Sequence, residues 1–175
     1  PRVNPKTVRS EEEGRMRKRS KYRPKPVRLD AIEHAISGVR PLTSVGSYFI
    51  DLKIKNHHAM TQMAQGAGTR TDVEVLVAAL NMAEGLAKLR VGKDWAVEIE
   101  AGQEALRSML ERAQEKKRFL FTGPELGAVN LAIEVHDAQL EAATVAQLEK
   151  AIGLVTRVCK GGGAKVLPKT EEMYG

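Results

Sequence analysis

Residues 71–89 read TDVEVLVAALNMAEGLAKL, and this stretch decides the fold class. It opens with Thr71-Asp72-Val73-Glu74, in which a threonine hydroxyl and an acidic side chain three residues on can satisfy the first amides of a helix. The apolar residues that follow leave almost no polar face when the stretch is wound as an α-helix. Such a helix lies at the centre of a core or between the subunits of an oligomer, so we expect a central helix and a homo-oligomer.

The segments on both sides of this stretch show helical spacing as well. Apolar residues recur at intervals of three and four over 30–39 and 44–65, and again after predicted caps at Asp94, Thr122 and Thr144. The best candidate strand, 118–121, is short. We therefore predict an all-α fold, an antiparallel bundle of about five to six helices over residues 29–160. An extended basic arm over 1–28 precedes it, and a flexible tail over 161–175 follows it.

Two side chains near helix ends are predicted to pack inward. Trp95 stands on the apolar side of the helix that Asp94 caps. Cys159 stands near the end of the last apolar stripe, where a thiol packs as a small hydrophobe. As the single cysteine of the chain, Cys159 also excludes an internal disulfide framework. The N-terminus of the chain is basic and no apolar run follows it, so we expect no secretory signal. The chain also has no stretch of about 20 apolar residues, so we expect no membrane span.

Charge is concentrated at one end of the chain. Residues 1–28 hold eleven Lys and Arg against three Glu, a net charge of +8, whereas the remaining residues hold 17 basic and 19 acidic side chains, a net charge of −2. Pro24 and Pro26 keep the segment extended. Lys and Arg neutralise phosphates, and a tyrosine can stack on a base. The predicted nucleic-acid contacts are Arg15, Arg17, Lys18, Arg19, Lys21, Tyr22, Arg23, Lys25 and Arg28.

The same arm has a second interpretation, in which it docks on the acidic surface of a neighbouring protein subunit. A virion or assembly protein would use the arm in this way. For the nucleic-acid interpretation, the composition of the arm gives no preference between DNA and RNA. We expect no catalytic residue and no cofactor, because the sequence lacks a nucleophile elbow and a phosphate-binding loop. We expect no metal, because adjacent His57 and His58 point about 100° apart on a helix. Asn56 and Asn81 are polar residues within otherwise apolar helical stretches.

Four short motifs together resemble small helical proteins encoded by bacteriophages and prophages of Gram-negative bacteria. They are KYRPKPV at 21–27, DLKIKNH at 51–57, GPEL at 123–126 and EVHDAQL at 134–140. The resemblance extends from about Met16 to Val158. It implies a phage context, with the bacterial cytoplasm or the virion as the location, and it implies no catalytic residues.

Overall fold

The computed structural model describes residues 36–44 and 46–161, which form helices joined by short connections. The α-helices described in full are α1 (Ser47–Ala64), α2 (Arg70–Lys88), α3 (Ala96–Lys116), α4 (Gly123–Ala142) and α5 (Val145–Lys160). Residues 36–38 are also helical, and short 3₁₀ turns cover Leu42–Ser44 and Lys93–Trp95. The described residues contain no strand beyond an isolated antiparallel bridge between Pro41 and Thr144. The predicted all-α bundle is therefore confirmed.

Helix α2 occupies the centre of the bundle and packs against α1, α3, α4 and α5. Its side chains Leu76, Leu80 and Leu86 are wholly removed from solvent. The prediction of a central helix is confirmed. The other helices of the same chain pack around α2, so its apolar side chains do not require a partner subunit. Homo-oligomerisation therefore stays a prediction that this helix does not support further.

Helices α4 and α5 begin at the predicted capping boxes. The backbone N–H of Thr122 donates to Glu125 Oε2 at 2.8 Å, and the backbone N–H of Thr144 donates to Gln147 Oε1 at 2.9 Å. In each box the threonine side chain accepts a hydrogen bond from the amide three residues on, so donors at the helix start are satisfied locally.

The predicted cap of α2 is wrong by two residues, because Thr69 caps the helix and Thr71 does not. Thr69 has extended backbone angles, its N–H donates to Asp72 Oδ2 at 2.8 Å, and its hydroxyl accepts from the Asp72 amide at 3.3 Å. Gly68 precedes it and lies so close to Met63 that a side chain there would overlap the methionine. The chain therefore turns tightly at the end of α1. It reaches the extended conformation of a helix cap at Thr69, two residues before the predicted cap.

Helix α3 also starts differently from the prediction. Gly92 adopts a left-handed conformation, and a 3₁₀ turn over Lys93–Trp95 leads into Ala96 with no side-chain cap. Asp94 consequently does not cap the helix. The turn also points Trp95 outward, where it is 50% exposed, so its predicted inward packing is wrong.

The candidate strand at 118–121 is a connection between α3 and α4 rather than a strand. Phe119 and Phe121 pack against the main core, and Arg112 Nη2 donates to the carbonyl of Leu120 at 3.2 Å. The segment has no neighbouring strand to pair with in the described part of the chain, and side-chain contacts hold it in place instead.

Cys159 is exposed in the last turn of α5, so the predicted buried thiol is wrong. Helix α5 lies at the edge of the bundle and fully buries Ala151 alone among its residues. Val158, next to Cys159, is 45% exposed. The apolar stripe of α5 continues beyond the part of the helix that the other elements cover.

Candidate functional site

The predicted nucleic-acid contacts, from Arg15 to Arg28, lie outside the described residues, and their role stays a prediction. The described chain begins at residue 36, shortly after this arm, and residues 36–44 connect it to the bundle. The structure therefore describes where the polypeptide that carries the arm is attached. It also contains a polar cluster inside the bundle, between α1 and α4.

Residues 40–42 attach the N-terminal segment to the junction of α4 and α5. The N–H of Leu42 donates to the carbonyl of Ala143 at 3.0 Å, and the N–H of Val145 donates to the carbonyl of Arg40 at 3.1 Å. Leu42 is 3% exposed and packs in a second apolar cluster with Leu140. Two backbone hydrogen bonds and one buried leucine thus fix the direction in which the chain enters the bundle.

An open groove of about 660 Å³ lies beside this attachment, between residue 38 and α5. Gly38 approaches α5 closely, since a Cβ at this position would lie 3.1 Å from the Cβ of Ala146. The exposed basic side chains of Lys150 and Arg157 line the groove together with Glu149. Positive charge is therefore present on the bundle where the N-terminal segment meets it.

The polar cluster between α1 and α4 centres on Asp137, whose side chain is 12% exposed. Asp137 Oδ2 lies 2.8 Å from His57 Nε2 and 3.6 Å from Lys53 Nζ, and Lys53 Nζ donates to Glu141 Oε1 at 2.8 Å. The hydrogen bond to Glu141 raises the pKa of Lys53. The ammonium also stands 5.4 Å from the centre of the Phe49 ring, within cation–π distance. One oxygen of a nearly buried carboxylate thus contacts two side chains of the facing helix.

Asn56 and His136 lie deeper than this cluster, and each is 1% exposed. Among residues 36–44 and 46–161, Asn56 Nδ2 and His136 Nδ1 find no hydrogen-bond partner. Burial lowers the pKa of His136 to about 4, so its imidazole is neutral at pH 7. A buried polar atom without a partner costs about 1–3 kcal/mol, and Glu98, Asp137 and Gln139 each hold one more such atom in the described part of the chain.

Local sequence patterns could have placed His136 but not its neighbours. Val129, Ile133 and Leu140 form the buried stripe of α4, and position 136 continues it at the same spacing, which indicates an inward histidine. The contact between His57 and Asp137 joins residues 80 positions apart. It depends on how α1 and α4 pack, which no spacing along the sequence reveals.

Asn81, the polar residue in the apolar centre of α2, is half-buried and has a partner. Its Oδ1 accepts from Gln103 Nε2 at 3.4 Å, and the same nitrogen donates to Glu84 Oε2 at 3.0 Å. These contacts join α2 to α3, and they are consistent with a structural role for Asn81.

Two further findings concern the described part of the chain only. No three His, Cys, Asp or Glu side chains there lie close enough together to bind one metal ion. Among residues 36–44 and 46–161, no helix is long and apolar enough to cross a membrane.

No protein-family model, curated protein or solved structure matches the chain.

Proposed function

We propose that the chain is a non-enzymatic, phage-encoded helical protein whose basic N-terminal arm, residues 1–28, contacts nucleic acid. The separation of charge carries this proposal, since a segment of +8 precedes a body of −2. A polyanion that meets this chain is attracted by the arm and weakly repelled by the rest. An extended arm follows a phosphate backbone without needing a preformed concave surface.

The attachment of residues 36–44 supports the same proposal. The two hydrogen bonds to Ala143 and Val145 hold residues 40–42, which follow the arm in sequence, at one corner of the bundle. Lys150 and Arg157 line the groove beside that corner together with Glu149, which leaves one net positive charge there. This charge is available to a nucleic acid that contacts the body as well as the arm.

A salt series with full-length protein tests the proposal. The arm variant carries Gln at Arg17, Lys18 and Arg19, and the matched control carries Gln at the exposed residues Lys116, Lys117 and Arg118. Both variants lose three positive charges, so a difference between them reports position rather than net charge. Binding to fluorescently labelled duplex and single-stranded DNA and to RNA is measured by anisotropy.

We expect the arm variant, and not the control, to lose affinity and salt dependence. About six phosphate contacts predict a slope of log K against log salt of about −5 on duplex DNA, and loss of three contacts reduces its magnitude by about 2.7. Equal losses in the two variants would contradict a role for the arm. Absence of binding at low salt would contradict the proposal as a whole.

A second candidate function is assembly, with the arm docking on a neighbouring subunit. The exposed face of α3 favours it, since Glu100, Glu104, Glu111 and Glu115 recur there with Arg107 as the interspersed cation. This face offers negative charge that an arm from another copy can meet. Salt-sensitive self-association in sedimentation velocity, lost when Glu111 and Glu115 are replaced by Gln, would favour assembly over nucleic-acid binding.

A further inference from the structure

The open groove between residue 38 and α5 has an apolar floor. Its volume of about 660 Å³ falls within the range of about 300–1,000 Å³ that is typical of small-molecule sites. Leu89 and Leu154 are the larger apolar side chains of the lining, and Gly38, Ala146 and Gly153 are its small residues. Among the described residues, none has an atom within 4 Å of a Cβ built on Gly153. The groove therefore has room for a flat group against the backbone of α5.

Basic residues accompany this apolar floor. Exposed Lys150 and Arg157 line the groove together with Glu149. Two more exposed arginines, Arg40 and Arg90, lie within two residues of the lining in the sequence. The four basic residues and the one acidic residue carry a net charge of +3. This charge complements a phosphate backbone.

An apolar floor with cations beside it suits a nucleotide, which has a flat base and an anionic phosphate. In a duplex the bases are stacked and paired, so their faces are not available to a groove on a protein. The bases of a single strand can turn outward and lie against side chains. We propose that this groove binds single-stranded nucleic acid, with a base on Leu89 and Leu154 and phosphates on the neighbouring cations. The inference rests on the proposed function and adds to it a preference for single strands.

Gly153→Leu tests the groove without altering any charge. The leucine fills the space above the backbone of α5, and leucine is favoured over glycine inside a helix. Gly127→Leu on α4 is the matched control, because position 127 is equally open and does not line the groove. Anisotropy is measured with labelled oligothymidylate, oligouridylate and a duplex of the same length. We expect Gly153→Leu to weaken single-strand binding about tenfold and to leave duplex binding unchanged, whereas Gly127→Leu should change neither.

A second pair of variants removes one charge each without a cost to the backbone. Arg90 and Lys117 have positive φ angles of 68° and 53°, which glycine adopts more readily than other residues. Arg90→Gly, beside the groove, should reduce the magnitude of the salt slope on single strands by about 0.7, the value for one phosphate contact. Lys117→Gly, at the end of α3, should leave that slope unchanged. Both variants lose one positive charge, so a difference between them reports position.

The outcomes separate the groove from the arm. If the unaltered protein binds neither duplex nor single strands, the proposed function and the groove assignment are overturned together. If the arm variant loses affinity while Gly153→Leu binds single strands like the unaltered protein, the proposed function stands and the groove assignment is overturned. Equal weakening of duplex and single strands by Gly153→Leu would overturn the preference for single strands. If Gly153→Leu does not fold, equal salt slopes for Arg90→Gly and Lys117→Gly would overturn the assignment instead.

Discussion

Replacement of Gly102 by alanine should force α3 and α4 apart, because the added methyl group has no room between these helices. A Cβ at position 102 would lie 2.6 Å from the Cβ of Ala132 and 3.2 Å from Leu80 Cδ1. The leucine tip can move, but the Cβ of Ala132 is fixed to the backbone of α4. The added methyl group is therefore accommodated only when the helices move or the backbone is distorted.

Two effects of opposite sign contribute to the stability of Gly102→Ala. Alanine is favoured over glycine inside a helix by about 0.8–1.0 kcal/mol. Overpacking of a well-packed core costs about 1–3 kcal/mol. Gly127→Ala is the matched control, since position 127 is exposed on α4 with nothing within 4 Å of its added Cβ. Both variants gain the same helix propensity, so the difference between them isolates the steric cost.

Urea unfolding followed by circular dichroism measures this difference. We expect Gly127→Ala to raise the free energy of unfolding by up to about 1 kcal/mol. Gly102→Ala should be less stable than Gly127→Ala by about 1–3 kcal/mol. If both variants are stabilised to the same extent, α3 and α4 do not pack at the distance described, and the reasoning is refuted.

Three further predictions concern stability. Leu80→Ala, at a side chain with no exposed surface, should cost about 2–5 kcal/mol in urea unfolding, whereas Ile152→Ala, at a side chain 45% exposed, should cost clearly less. Glu125→Gln should flatten the acid limb of a stability–pH profile, because the hydrogen bond from Arg112 lowers the pKa of Glu125. The contribution of ionised Glu125 to the free energy of unfolding is present above the unfolded pKa near 4.5 and is lost as pH falls through the lower folded pKa. The folded pKa of His136 is about 4, against 6.5 for an unperturbed histidine. The stabilising contribution of neutral His136 is therefore fully present above pH 6.5, and the free energy of unfolding falls by about 3 kcal/mol in total as pH falls toward 4. His136→Gln should lack this loss, and a stability–pH profile identical to that of the unaltered protein would contradict the buried neutral imidazole.

The sequence predicted the starts of α4 and α5 correctly, whereas the cap signal at Asp94 gave the wrong start for α3. The patterns at Thr122 and Thr144 each offer one capping box, and both boxes form. At the start of α2 two such patterns overlap, from Thr69 to Asp72 and from Thr71 to Glu74, so local chemistry cannot choose between them. The chain turns at Gly66, which has a left-handed φ of 72°, and Gly68 then packs against Met63, so Thr69 is the residue that reaches the cap position.

The polar cluster around Asp137 was less predictable than the helices, because it depends on contacts between distant segments. Asn56 is recognisable as a polar residue within an apolar stretch, and His136 continues a buried stripe. The contact between His57 and Asp137 requires the packing of α1 against α4. The exposure of Cys159 has a similar origin, since its apolar stripe is longer than the surface available to cover it.

The hydrogen bond from the N–H of Val145 to the carbonyl of Arg40 has a consequence for the order in which the protein is made. About 100 residues separate Arg40 from Val145, so the basic arm leaves the ribosome long before the donor at the start of α5 exists. Contacts between such distant segments form late, because a long loop must close before they bring any gain. Docking of residues 36–44 therefore marks the completed bundle, and a nascent chain presents its positive charge to polyanions before it has a folded body to orient that charge.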